Sequence, residues 1–152
     1  MMKNFIRSVM ILASLASYSV FADNYGTAEE AKALLEKVVT SLKTDESATI
    51  DKINKGEEGF KDRDLYPFCV KADGSLTAHP VFHPNLDERN LKAERDIMGK
   101  AFGEEMIKNA KEGQISKVTY MWPRPGETKP VQKTAFITKV GDHVCGVGYY
   151  KK

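Results

Sequence analysis

The chain has 152 residues, 23 basic and 21 acidic, with a net charge of +2 and a mean hydropathy of −0.42, which suits one globular domain. The excess charge is Lys3 and Arg7; without them 21 residues of each sign remain, against 23 basic in the whole chain. No basic tract is left to neutralise a phosphate backbone, which excludes nucleic acid as a partner on electrostatic grounds.

The opening MMKNFIRSVMILASLASYSVFADN has a basic start and a mostly apolar run over residues 9–21, broken by Ser14, Ser17 and Ser19. Ala22 follows Val20 and Phe21, the small residue a signal peptidase needs. This predicts a signal peptide over residues 1–22, cleaved after Ala22, and a periplasmic or secreted domain over 23–152. The apolar run is shorter than the about 20 residues of a membrane span, and no later segment reaches that length. Export allows the only two cysteines, Cys69 and Cys145, to pair; two separate buried thiols are the alternative.

Thr27-Ala28-Glu29-Glu30 reads as a capping box. Behind it Ala28, Ala31, Leu34, Leu35, Val38, Val39 and Leu42 recur at helical spacing, predicting an amphipathic helix over 28–44. A second helix over 46–55 is stopped by Gly56 and Gly59. Leu65–Lys71 and Ser75–His79 read as strands joined at Asp73-Gly74, with Pro67 at the start of the first. Residues 80–97 are loop-like, and 98–111 reads as a helix with Met98, Phe102, Met106, Ile107 and Ala110 inward and Gly113 beyond its end. Three strands follow, over 114–122, 132–140 and 143–150, with Val118, Tyr120 and Trp122 on one face. This order implies an α+β fold with a five-stranded antiparallel sheet covered by helices. Gly146 and Gly148 share a face of the last strand and call for a packing reason, a close helix or room for a ligand, with the helix favoured.

No nucleophile elbow, Cys-x-x-Cys, zinc-protease helix or phosphate loop is present, so neither an enzyme nor a cofactor is expected, and no catalytic residue is assigned. His79 and His83 flank prolines in a loop, with Asp87 and Glu88 following; nothing fixes three ligands, and no metal site is assigned. The stretch YMWPRPG, residues 120–126, carries more. Tyr120 and Trp122 offer flat walls with polar tips, and Arg124 and Lys133 bracket the turn. Aromatic walls beside a cation suit a small carboxylate. The alternative reading places both rings in the core and Arg124 in solvent.

Three pieces, KDRDLYPFCVKADGSLTAHP, GKAFGEEMIKNAKEGQISKVTYMWPRPGETKPVQKTAFITKV and VCGVGYY, resemble bacterial single Cache domains of the second subtype, extracytoplasmic PAS-like sensor modules. The resemblance runs over about residues 27–151, and its most specific part is the aromatic-x-Trp-Pro-x-Pro turn followed by Pro-Val-x-Lys. It implies a long N-terminal helix packed on a sheet ordered 2-1-5-4-3. It also places Cys69 and Cys145 on neighbouring strands, where a disulfide would close a loop of roughly 75 residues and add about 4 kcal/mol. The ligand set it implies is His79, Tyr120, Trp122, Arg124 and Lys133, with Phe136 where relatives often carry Tyr, and Met98 and Phe102 on the lid side. Val81–Pro84 looks inserted beside that pocket.

The expectation is therefore a soluble sensor-type domain for a short organic acid, either standalone or serving a membrane-bound receptor or transporter. Such modules often dimerise through the N-terminal helix. Two alternatives stay open: an accessory subunit with a vestigial pocket, and an exported metal- or haem-associated protein using His79 and His83.

Overall fold

The structure, a computed structural model, describes residues 24–152; the expected signal peptide and its cleavage site lie outside the described residues. The predicted capping box is present. Thr27 Oγ1 accepts the Glu30 N–H at 3.2 Å, and the Glu30 carboxylate accepts the Thr27 N–H at 2.8 Å. It opens α1, Ala28–Thr44, which buries Ala31, Leu34, Leu35, Val38 and Leu42. Leu35 and Val38 are fully covered, each worth about 2 kcal/mol of transfer free energy. α2, Glu46–Lys55, is capped by Asp45 and ends at Gly56, whose φ of 67° is the left-handed conformation glycine tolerates.

The strands are β1 (Pro67–Val70), β2 (Leu76–Ala78), β3 (Ser116–Pro123), β4 (Pro130–Val140) and β5 (His143–Tyr150). They form one antiparallel sheet in the order β2-β1-β5-β4-β3, as expected. α1 lies on one face over Cys69, Phe136, Val140, Cys145 and Val147. Cys69 and Cys145 stand directly opposite each other in the β1–β5 register and form a disulfide. The other face carries Phe68, Val118, Tyr120, Ala135 and Ile137 beneath α3, Phe102–Asn109.

α3 is shorter than the periodicity predicts, for a local reason. The Asp96 carboxylate accepts the N–H groups of Met98, Lys100 and Met121, each at 2.9 Å. These bonds, the one from Met121 foremost, hold its pKa below the usual carboxylate range. The captured turn runs through Gly99 at φ 79°, so the helix starts only at Phe102. Because Met121 belongs to β3, the same carboxylate covers part of that edge strand.

The glycines of β5 face the α3 side rather than α1. A Cβ on Gly146 would sit 2.5 Å from the Phe68 ring, and one on Gly148 would sit 2.2 Å from Lys133 Cε. Their packing reason is thus one aromatic ring and one lysine stem, not the helix that the sequence favoured.

Candidate functional site

Lys133 is the centre of the α3-side face. On β4 it pairs with Tyr120 of β3 and Tyr150 of β5. Its stem lies in the space left by Gly148, and the side chain is 1% exposed. Nζ donates to the Tyr66 hydroxyl at 2.8 Å and sits 4.0 Å from the Tyr66 ring centroid and 4.8 Å from that of Tyr150. No ion pair to Lys133 is found among the described residues. The phenols do not supply the missing charge. Burial pushes the Tyr120 phenol up. Burial does the same at Tyr150, reinforced by the charge of Tyr66 and a hydrogen bond with it. Both stay protonated at ordinary pH.

Around this ammonium is a cavity of about 20 Å³, room for a water or two. Phe102, Tyr120 and Trp122 wall one part of it. The Phe102 and Tyr120 rings stack at 4.3 Å, and Trp122 meets Phe102 edge-on at 5.3 Å. Tyr66, Phe68 and His79 supply another part, and Phe82, Leu91 and Glu94 come from the connection before α3. His79 is held by its backbone N–H on Asn54 Oδ1, while its Nδ1 accepts the Val81 N–H at 3.2 Å. The ring proton therefore sits on Nε2, leaving a neutral donor.

Burial, then the charges of Lys133 and Arg89, lower the His79 pKa from 6.5 to about 3. The unfolded chain therefore takes up this proton before the folded one does. Stability from this group is complete above about pH 6.5 and is lost as pH falls towards 3. Urea unfolding should show about 2 kcal/mol lost between pH 6.5 and 5, absent in His79→Gln. Equal pH slopes for the two proteins would contradict this.

Five of the eight residues expected at the pocket line the cavity: His79, Phe102, Tyr120, Trp122 and Lys133. Three are elsewhere. Phe136 is three residues from Lys133 on a regular strand, so it faces α1 and packs on Tyr149 at 5.6 Å. Met98 is thrown outward by the Asp96 turn and is 80% exposed. Arg124 turns away from the cavity towards Tyr25, Asp64 and Lys151. Its Nε lies 3.4 Å from Asp64 Oδ2, its Nη2 donates to the Lys151 carbonyl at 3.0 Å, and its guanidinium covers the Tyr25 ring at 4.3 Å. YMWPRPG is thus divided: its aromatic half walls the cavity and its cation ties β3 to Tyr25, Asp64 and Lys151. His79 is buried and His83 exposed, and no cluster of three metal-ligating side chains occurs among the described residues.

The Cache-domain family model matches residues 22–151. The chain belongs to the Cache domain family. Cache domains are extracytoplasmic sensor modules that bind small ligands, and no helix among the described residues is long and apolar enough to cross a membrane. This Cache domain is 35% identical over 91 residues to the methyl-accepting chemotaxis protein McpP of Pseudomonas putida. That alignment covers 59% of this chain but 16% of the receptor, so the chain spans only a small part of that relative. The Cache fold superposes on a methyl-accepting chemotaxis protein of Vibrio parahaemolyticus at TM-score 0.66, with 22% identity over 80% of this chain and 86% of that one. It superposes on the periplasmic sensor domain of a chemotaxis protein at 0.61, with 26% identity and coverages of 82% and 90%. A third structure, described as the basis for carboxylic acid recognition by a Cache chemosensory domain, matches at 0.58 with 23% identity, covering 82% and 88%.

The residues that sequence reasoning missed in this Cache domain are Tyr66, Phe68, Leu76, Phe82, Leu91 and Glu94. Tyr66 had a signal: it shares parity with Phe68, opposite to that of the core-facing Cys69. Phe82, Leu91 and Glu94 had none, because the connection that carries them follows no period.

Proposed function

We propose that this domain binds a short monocarboxylate beside Lys133 and reports it to a membrane receptor system outside the cytoplasm. The observation that carries the reading is a fully buried ammonium whose partners are a tyrosine hydroxyl and two ring faces. A buried charge without a counter-ion is costly, and a bound anion removes that cost. Glu94 is the one carboxylate at the cavity, and Arg89 already holds it at 2.5 Å. The uncompensated charge is thus single and positive, which favours a monoanion over a dicarboxylate. The Tyr66 hydroxyl and His79 Nε2–H would complete the carboxylate's hydrogen bonds, while Phe102, Tyr120 and Trp122 exclude water. The likeness to a carboxylate-recognising Cache domain supports the same ligand class, and the likeness to McpP supports the receptor context.

Few ligand atoms give modest affinity, in the micromolar-to-millimolar range, about −4 to −8 kcal/mol. Calorimetric titration with acetate, propionate, pyruvate and succinate is the test. The monoacids should bind and raise the melting temperature by mass action, and succinate should bind at least about tenfold more weakly. No heat with any monoacid would end the reading. Dimerisation through α1 would bring together faces that expose Lys32, Glu36 and Lys43.

A further inference from the structure

We propose that Phe82 sets the length of the acid that the cavity admits, with Arg89 and Glu94 holding its ring in place. The inference rests on the monocarboxylate reading and adds a size limit to it. Phe82 lies in the turn that follows His79, within the stretch that looks inserted in the sequence. Its N–H donates to the His79 carbonyl at 3.2 Å, and its own carbonyl accepts the Asn85 N–H at 2.8 Å. This backbone geometry lays the ring on the His79 imidazole, with centroids 4.1 Å apart and planes at 20°. On the ring's other contact, the Arg89 guanidinium sits 3.9 Å from the centroid and is bonded to Glu94 at 2.5 Å. The ring is thus fixed between the imidazole that would meet the carboxylate and an ion pair at the surface.

The two ends of this connection differ in how firmly they are held. Beyond Arg89, the Leu91 N–H donates to the Gly74 carbonyl at 2.8 Å, and a Cβ on Gly103 would lie 1.9 Å from the Leu91 carbonyl oxygen. α3 therefore clamps that part against the fold. Val81 and residues 83–85 are exposed, so the turn carrying Phe82 has solvent outside it. About 20 Å³ of cavity, room for a water or two, leaves little space for even the smallest acids. A longer chain needs space, and Phe82 is the wall that can yield it. Trp122, Tyr120 and Phe102 cannot, because Tyr120 stacks on Phe102, the first residue of α3, and Trp122 packs edge-on against the same ring.

The experiment is calorimetric titration of the wild type, Phe82→Ala and Arg89→Ala with acetate, propionate, butyrate and valerate. In the wild type, affinity should fall by about tenfold for each carbon beyond the optimum. In Phe82→Ala the optimum should move at least one carbon longer, and the butyrate-to-acetate affinity ratio should rise at least about tenfold. Arg89→Ala leaves every cavity wall present except the clamp on the ring, and should raise that ratio by a smaller factor. An unchanged ratio in Phe82→Ala, with acids still bound, overturns this inference and leaves the monocarboxylate reading standing. Failure of wild type and variants alike to bind any of the four acids overturns both.

Discussion

Lys133→Met is expected to abolish carboxylate binding and, in the same variant, to raise the melting temperature of the empty protein. The two effects share one cause. The Lys133 ammonium is fully buried, and a tyrosine hydroxyl is its one hydrogen-bond partner among the described residues. With no ligand it is a desolvated charge without an anion. A methionine of similar length and flexibility fills the same channel beside Gly148 and strands no carboxylate, since none is paired with Lys133. Replacing a poorly compensated buried charge by an apolar side chain stabilises by about 1–3 kcal/mol. Removing the cation from a bound ion pair costs binding about 2–5 kcal/mol, a loss of at least about 100-fold at the middle of that range. Titration with acetate and a thermal scan at neutral pH measure both. Unchanged affinity would move the site elsewhere. A lower melting temperature would mean that a group other than Tyr66 compensates the charge.

The double variant Cys69→Ala, Cys145→Ala is expected to lose about 4 kcal/mol of stability, about 15 °C in melting temperature for a domain of this size. The bond joins residues 76 apart in sequence, so most of the domain lies inside the loop it closes. Its stabilisation comes mainly from restricting the unfolded chain. Both sulfurs are in the α1-side core, on the opposite face of the sheet from Lys133. Acetate affinity of the folded fraction should therefore stay within about twofold, measured below the lowered melting point. A loss of less than about 1 kcal/mol would show that the unfolded chain gains little freedom when the bond is removed.

Much of this architecture is legible in the sequence because it is locally encoded. The capping box at Thr27, the heptad-like spacing through α1 and the alternation of Val118, Tyr120 and Trp122 each lie within a few residues. The parity of β4 was equally available: Lys133 and Phe136 differ by an odd number of positions, so a regular strand cannot show both to one cavity. The end of α3 towards Met98 was harder to read. Its helical spacing is real, but Asp96 competes for the same N–H groups and reaches to β3 for a third.

Local pattern carries the order of the elements, the alternation of faces along each strand and the presence of aromatic and cationic side chains near one turn. Periodicity is a short-range property, and these follow from it. Packing alone settles that Lys133 has no counter-ion among the described residues, that Arg124 is spent on Tyr25, Asp64 and Lys151, and that Phe82 closes over His79. Each of those facts is a distance between side chains far apart in the chain, set by how sheet, helix and loop pack together, and no local pattern of residues records it.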